Sequence, residues 1–291
     1  MTPSRTTLRE IVAYLGIAYG LALIVAVGLP DAHINLLLSV MVPTVTVGIL
    51  TFTLTPRVSR RSLWRGIGLG RAGFRAWPAA IVLPMLLCAG AYGTALVIGA
   101  GRLHLGEFSG AAVPDWTANF VVSLLIGTVI ILGEEIGWRG YLLPRFQQVT
   151  TRRRAAVATG FAHGCFHLPL ILLATTYDTG VPRWVAAPVA VAVITAGGVF
   201  YAWLWDRAGT VWPVAIAHNV VNTVFDLGAA SVVATSGSGL AYVAGETGFA
   251  TLGVCVLAAV VLLRWARVWR RPVVREVPVP VAQAPVAARA A

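Results

Sequence analysis

Eight stretches of roughly twenty mostly apolar residues follow one another along this chain, each long enough to cross a bilayer core at about 1.5 Å of rise per residue. They run over about 11–29, 34–54, 77–100, 118–143, 155–175, 184–205, 211–227 and 249–268. In hydrocarbon only helices and closed barrels satisfy their own backbone hydrogen bonds, and runs of this length are helical rather than strand-like. The expected fold is therefore all-α: a polytopic transmembrane helix bundle of about eight spans. A chain that is 58% hydrophobic and 11% charged cannot cover a soluble globule with polar surface, and it is too apolar to be disordered. Its three cysteines, Cys88, Cys165 and Cys255, all lie inside apolar runs, which fits free buried thiols better than a disulfide framework.

Orientation follows from the basic residues. All 22 are arginine, and they cluster between apolar runs: Arg57, Arg60, Arg61, Arg65, Arg71 and Arg75; then Arg145, Arg152, Arg153 and Arg154; then Arg267, Arg270, Arg271 and Arg275. With eight crossings, these clusters and Arg5 and Arg9 fall on one side, leaving Arg102 and Arg183 on the other. The positive-inside rule makes that side cytoplasmic, so both termini are expected there, in a multi-pass protein of the cell membrane. The opposite loops carry Asp31, Glu107, Asp115, Asp178, Asp226 and Glu246. The net charge of +11 does not imply a nucleic-acid partner, because arginines between spans set orientation and meet anionic headgroups instead. The first apolar run is longer than a signal-peptide core and no A-x-A site follows it, so it reads as a retained span.

Ionisable groups inside spans are costly, on the order of 3 kcal/mol each at the helix centre, and so mark function. Three clusters stand out. In Glu134-Glu135-Ile136-Gly137-Trp138-Arg139, the Glu135–Arg139 pair is four apart and shares a helix face, while Glu134 is turned about 100° away and has no local partner. A carboxylate so placed suits a general base that takes a proton from water. His163 and His167, again four apart, stack on one face, as in a proton relay or a metal pair. His218 and Asn222 bring N–H donors to one face, as a developing oxyanion or an interhelical hydrogen bond would need. Counted from the arginine-bearing ends, Glu134, His167 and His218 lie at similar depths, about 12–18 Å in. Gly133 with Gly137, and Gly160 with Gly164, have the small-x-x-x-small spacing that lets helices approach closely.

At these residues the chain resembles the CAAX protease and bacteriocin-processing (Abi) family of intramembrane glutamic endopeptidases, which includes the type II prenyl-protein endopeptidases. Its pattern is Glu-Glu-x-x-x-Arg, Phe-x-x-x-His and His-x-x-x-Asn on separate helices. The first is present as Glu134, Glu135 and Arg139, and the third as His218 and Asn222. The second departs from the pattern, since His163 stands four before His167 where the family commonly has an aromatic residue. The resemblance covers roughly residues 115–225. Hydrophobicity and composition divide the chain into three N-terminal spans (1–110), a helical core (111–230) that the resemblance makes catalytic, a last span (231–271) and a Pro/Val/Ala-rich flexible tail (272–291). The resemblance implies peptide hydrolysis without a covalent intermediate. Glu134 aided by His167 would activate water, His218 and Asn222 would hold the oxyanion, and Glu135 and Arg139 would order the helix. The expected partners are a peptide or protein substrate, reaching the site from the cytoplasmic side, and the lipid bilayer. No cofactor is expected, although Glu134, His167 and His218 are also suitable zinc ligands. A non-catalytic membrane protein, such as an immunity factor, scaffold or transporter, would use the same polar cavity.

Overall fold

In the computed structural model, described over residues 5–29, 32–104, 112–174 and 180–270, the apolar runs are helices. Asp31, Glu107, Asp178, Arg271, Arg275 and the tail from Pro272 lie outside the described residues. The helices are α1 (Arg5–Gly28), α2 (Ala32–Thr53), α3 (Arg57–Gly66), α4 (Trp77–Val97), α5 (Ala112–Glu135), α6 (Leu143–Val149), α7 (Arg152–Phe166), α8 (Leu168–Leu173), α9 (Arg183–Ala208), α10 (Trp212–Ser231), α11 (Gly239–Val243) and α12 (Phe249–Trp265). Between α5 and α6 the chain continues as a π-helical stretch, Ile136–Leu142.

Among the described residues, six helical segments are long and apolar enough to cross a membrane: Arg5–Gly28, Ile34–Thr53, Phe74–Val97, Phe120–Val149, Arg152–Leu173 and Arg183–Ala208. The seventh expected span is helix α10, whose His218, Asn219, Asn222 and Asp226 make it the more polar. The eighth is α12, apolar and 17 residues long. Two features depart from a purely helical bundle. The arginine-rich segment after α2 is helical over α3, with basic side chains on one face and Leu63 and Trp64 packed against the core, as in a helix lying along an interface. Residues 101–103 and 232–234 form a short antiparallel pair, β1–β2, with Arg102 opposite Val233.

Most buried hydroxyls on the helices are satisfied by their own helix. Ser39, Thr46, Thr51, Thr128 and Thr159 hydroxyls donate to carbonyls four residues back. The Asn35 amide donates to the carbonyls of Val25 and Leu29 at the end of α1. The arginine-bearing ends meet at one face: Arg145 pairs with Glu10 at 2.8 Å, Arg152 pairs with Asp206, and Arg71 donates to the Gly209 carbonyl.

Close approach depends on glycine where the sequence spacing indicated it. A Cβ on Gly160 would stand 2.6 Å from the Thr195 carbonyl oxygen, and one on Gly164 would stand 2.9 Å from the Val191 carbonyl oxygen, so α7 and α9 touch backbone to backbone. Gly133 and Gly137 do the same for α2, against Met41 and Pro43. Gly160→Ala should destabilise the protein by about 1–3 kcal/mol through overpacking. Gly197→Ala, with nothing within 4 Å of its Cβ, should not. Thermal unfolding in detergent followed by size exclusion compares the two; equal melting points would show that the α7–α9 contact is looser than described.

Candidate active site

The π-helical stretch is the centre of the molecule. All seven of its residues are buried, as are Glu134 and Glu135 just before it. A π-turn inserts a residue into the helical register and often accompanies function. Here Gly137 admits Pro43 and the Tyr14 hydroxyl, and Gly140 admits Ile67, so chain surrounds the stretch on all sides.

Arg139, fully buried, donates from Nη1 to Glu135 Oε1 at 2.9 Å and Oε2 at 3.1 Å, the pair expected from the spacing of four. The same nitrogen lies 3.3 Å from Nδ1 of His163. The guanidinium rests over the Tyr201 ring, 4.8 Å from its centroid. On its other side Glu135 Oε1 accepts from His218 Nδ1 at 2.7 Å, and Tyr201 stacks on the His218 ring. Thus α10 is tied to α5 by Glu135, with Arg139 supplying the compensating charge that a buried carboxylate requires.

Glu134 is not unpartnered, as its helical position suggested: its Oε2 lies 2.7 Å from His163 Nε2. The nearest imidazole to the carboxylate is therefore His163, not His167, whose Nε2 lies 3.3 Å from the same His163 nitrogen. The two rings are not parallel, because α7 ends at Phe166 and a new helix starts at Leu168 before Pro169; His167 occupies the junction. A guanidinium can only donate, so Nδ1 of neutral His163 accepts from Arg139 and Nε2 carries the proton. His163 accordingly donates its N–H to Glu134, and Trp138 stacked at 4.8 Å holds the ring in place.

Exposure rises along α10 from His218, whose side chain is 13% exposed, through half-buried Asn222 to exposed Asp226. Asn222 is one turn beyond His218 and has no hydrogen-bond partner among the described residues. Asn219 is the structural amide instead, donating to the Ser123 and Leu124 carbonyls. Glu246, before α12, is exposed by surface area yet lies within electrostatic reach of Asp226, His218 and Glu134. Crowding by surrounding chain, and then the Asp226 carboxylate, push the Glu246 carboxyl above the ordinary range. Toward the arginine-bearing face the cluster is closed by Ile67, Trp138, Tyr141, Leu142 and Val211, each at most 1% exposed. The sequence did not single out Glu246 or Tyr201. Their only signals were a loop acid and one aromatic among many.

Residues 114–224 match the family model described as type II CAAX prenyl endopeptidase Rce1-like. The resemblance carried by the three motifs is borne out, over nearly the span they indicated. Within this Rce1-like stretch lie Glu134, Glu135, Arg139, His163, His167, His218 and Asn222. No curated protein sequence matches the chain.

The ligand atoms of Glu134, His163 and His167 all lie within 4.8 Å of one another, a grouping that could hold a metal. The set differs from the zinc ligands the sequence suggested, since His163 takes the place of His218. The group behind His163 has the wrong polarity for it. A ligating imidazole usually donates its other N–H to an acceptor, whereas His163 faces a guanidinium donor at Nδ1. Protein purified and washed without chelator should carry well under one equivalent of zinc by elemental mass spectrometry. A stoichiometric metal that is lost on His163→Phe substitution would contradict this reading.

Proposed function

We propose that the chain is an intramembrane endopeptidase in which Glu134 and its histidines activate water against a peptide carbonyl. The observation that carries this is the distribution of charge: Arg139 neutralises Glu135, while Glu134 meets, among the described residues, the neutral N–H of His163. Such a carboxylate is a base with its other oxygen available. Water beside Glu134 and His167 gives its proton to Glu134 as its oxygen bonds to the carbonyl carbon. The carbonyl electrons move to oxygen, where His218 Nε2, in the doubly protonated ring, and the Asn222 amide donate. Glu134 then returns the proton to the amide nitrogen as the C–N bond breaks. The match to the Rce1-like family supports protease chemistry within the membrane; the substrate is a peptide whose sequence it does not fix.

We read the arginine-bearing end as cytoplasmic. The sealed packing there, and the polar stripe whose exposure rises from His218 through Asn222 to Asp226 on the other side, favour approach of the peptide along that stripe rather than through the arginine-bearing face.

Full-length protein reconstituted in vesicles, assayed with a fluorogenic peptide library, tests both points. Glu134→Gln should lower turnover by about 10²–10⁴-fold and Asn222→Ala by about 10²–10³-fold in folded protein. His163→Phe, which installs the residue of the family pattern, should lose roughly ten- to a hundredfold, the worth of one hydrogen bond to a charged group. Unimpaired cleavage by Glu134→Gln would end the proposal, and biological function retained without cleavage would favour the non-catalytic reading. With the three native cysteines changed to alanine, Asp226→Cys should be blocked by an impermeant maleimide only from the side opposite the arginine clusters. Labelling only from the arginine side would reverse the route.

A further inference from the structure

A second feature lies on the lipid-facing side of the same helices. Between α7, α9 and α12 runs an open groove of about 430 Å³, its floor made by small residues, Ala192, Thr195 and Ala196 on α9 and Ala259 on α12. Its wall on α7 is Val157 and Phe161, both exposed. Three of its residues, Val157, Phe161 and Leu263, also line an adjoining hollow whose rim carries Arg153 and Arg154. The two hollows thus form one channel, apolar along its length and basic at one end.

Its dimensions fit the membrane. From Val199, nine residues in from the Ala208 end of α9, to Pro188, the groove follows eleven residues of helix, about 16 Å at 1.5 Å per residue. That is roughly half of the ~30 Å hydrocarbon core, the depth of one leaflet. The charge is placed accordingly. Arg152 is bound to Asp206, while the exposed Arg153 and Arg154 make no ion pair among the described residues and stand where a headgroup phosphate would lie above an acyl chain in the groove.

We propose that this groove is a binding site for an anionic phospholipid of the arginine-side leaflet, one acyl chain lying along Phe161, Ala192 and Ala259 and the phosphate held by Arg153 and Arg154. The occupant is a lipid rather than a free phosphate, because the apolar groove has to be filled along with the charge. The proposal is independent of the proteolytic reading. None of these side chains belongs to the cluster around Glu134, although Phe161 shares α7 with His163 and His167.

Full-length protein extracted from vesicles of phosphatidylcholine and phosphatidylglycerol in equal amounts, then examined by native mass spectrometry, provides the test. Wild-type protein should retain one phosphatidylglycerol in preference to phosphatidylcholine. Arg153→Ala with Arg154→Ala should lower that preference by about fivefold per arginine removed. Ala192→Phe, a half-buried position whose ring would fill the groove, should remove the retained lipid whatever its headgroup. Arg57→Ala with Arg61→Ala, exposed on α3, should leave the preference unchanged, and excess inorganic phosphate should not displace the lipid. The proposal is overturned by equal retention of the two lipids in wild type, by an equal loss in the α3 control, by retention in Ala192→Phe protein that unfolds at the wild-type temperature, or by displacement with phosphate. Thermal unfolding of each variant separates loss of lipid from loss of fold.

Discussion

The buried guanidinium of Arg139 is the interaction on which the rest of the site depends. One cation, with no exposed surface, holds the Glu135 carboxylate and faces the His163 imidazole. It neutralises Glu135, and Glu135 in turn fixes His218 on another helix. Because a guanidinium has no lone pair to offer, it also decides which nitrogen of His163 carries the proton, and so directs that N–H to Glu134. Three helices and the polarity of two histidines are set by one side chain. The cost of burying it is offset in part by the ion pair and by the Tyr201 ring beneath it, while its Nε and Nη2 have no hydrogen-bond partner among the described residues.

Packing makes that arrangement possible. A π-helical stretch surrounded by protein needs neighbours at backbone distance, and the glycines supply them: Gly137 against Pro43 of α2, and Gly160 and Gly198 against each other between α7 and α9. In a membrane the helices are not driven together by hydrophobicity, since the lipid is as apolar as they are, so close van der Waals contact must do it. The same contact brings His163 under Trp138 and within reach of Arg139.

Local periodicity was readable from the chain, and long-range partners were not. The Glu135–Arg139 pair and the glycine spacings are properties of one helix, and both appear as the spacing of four requires. The tie between Glu135 and His218 joins residues 83 apart, and no local pattern indicates which acid an imidazole on another helix will meet. His163 and His167 were readable as a stripe, but their order of contact with Glu134 was not. The turn at His167 between α7 and α8 tilts its ring against that of His163 while their Nε2 atoms stay 3.3 Å apart. The arginine-rich segment after α2 was read from its charge as a loop, although its Leu63 and Trp64 could have shown α3 to be amphipathic.

The ¹⁵N chemical shifts of the imidazole nitrogens report the direction of the hydrogen bonds around Arg139. In histidine-labelled protein at a pH where His163 is neutral, the account requires Nε2 of His163 to be protonated and Nδ1 bare, with His218 protonated at Nδ1. Substituting Arg139 by glutamine, which can accept as well as donate, should release the His163 preference. A proton found on Nδ1 of His163 in the unaltered protein would mean that Arg139 does not direct that ring, and the account of Glu134 as the water-activating base would lose its foundation.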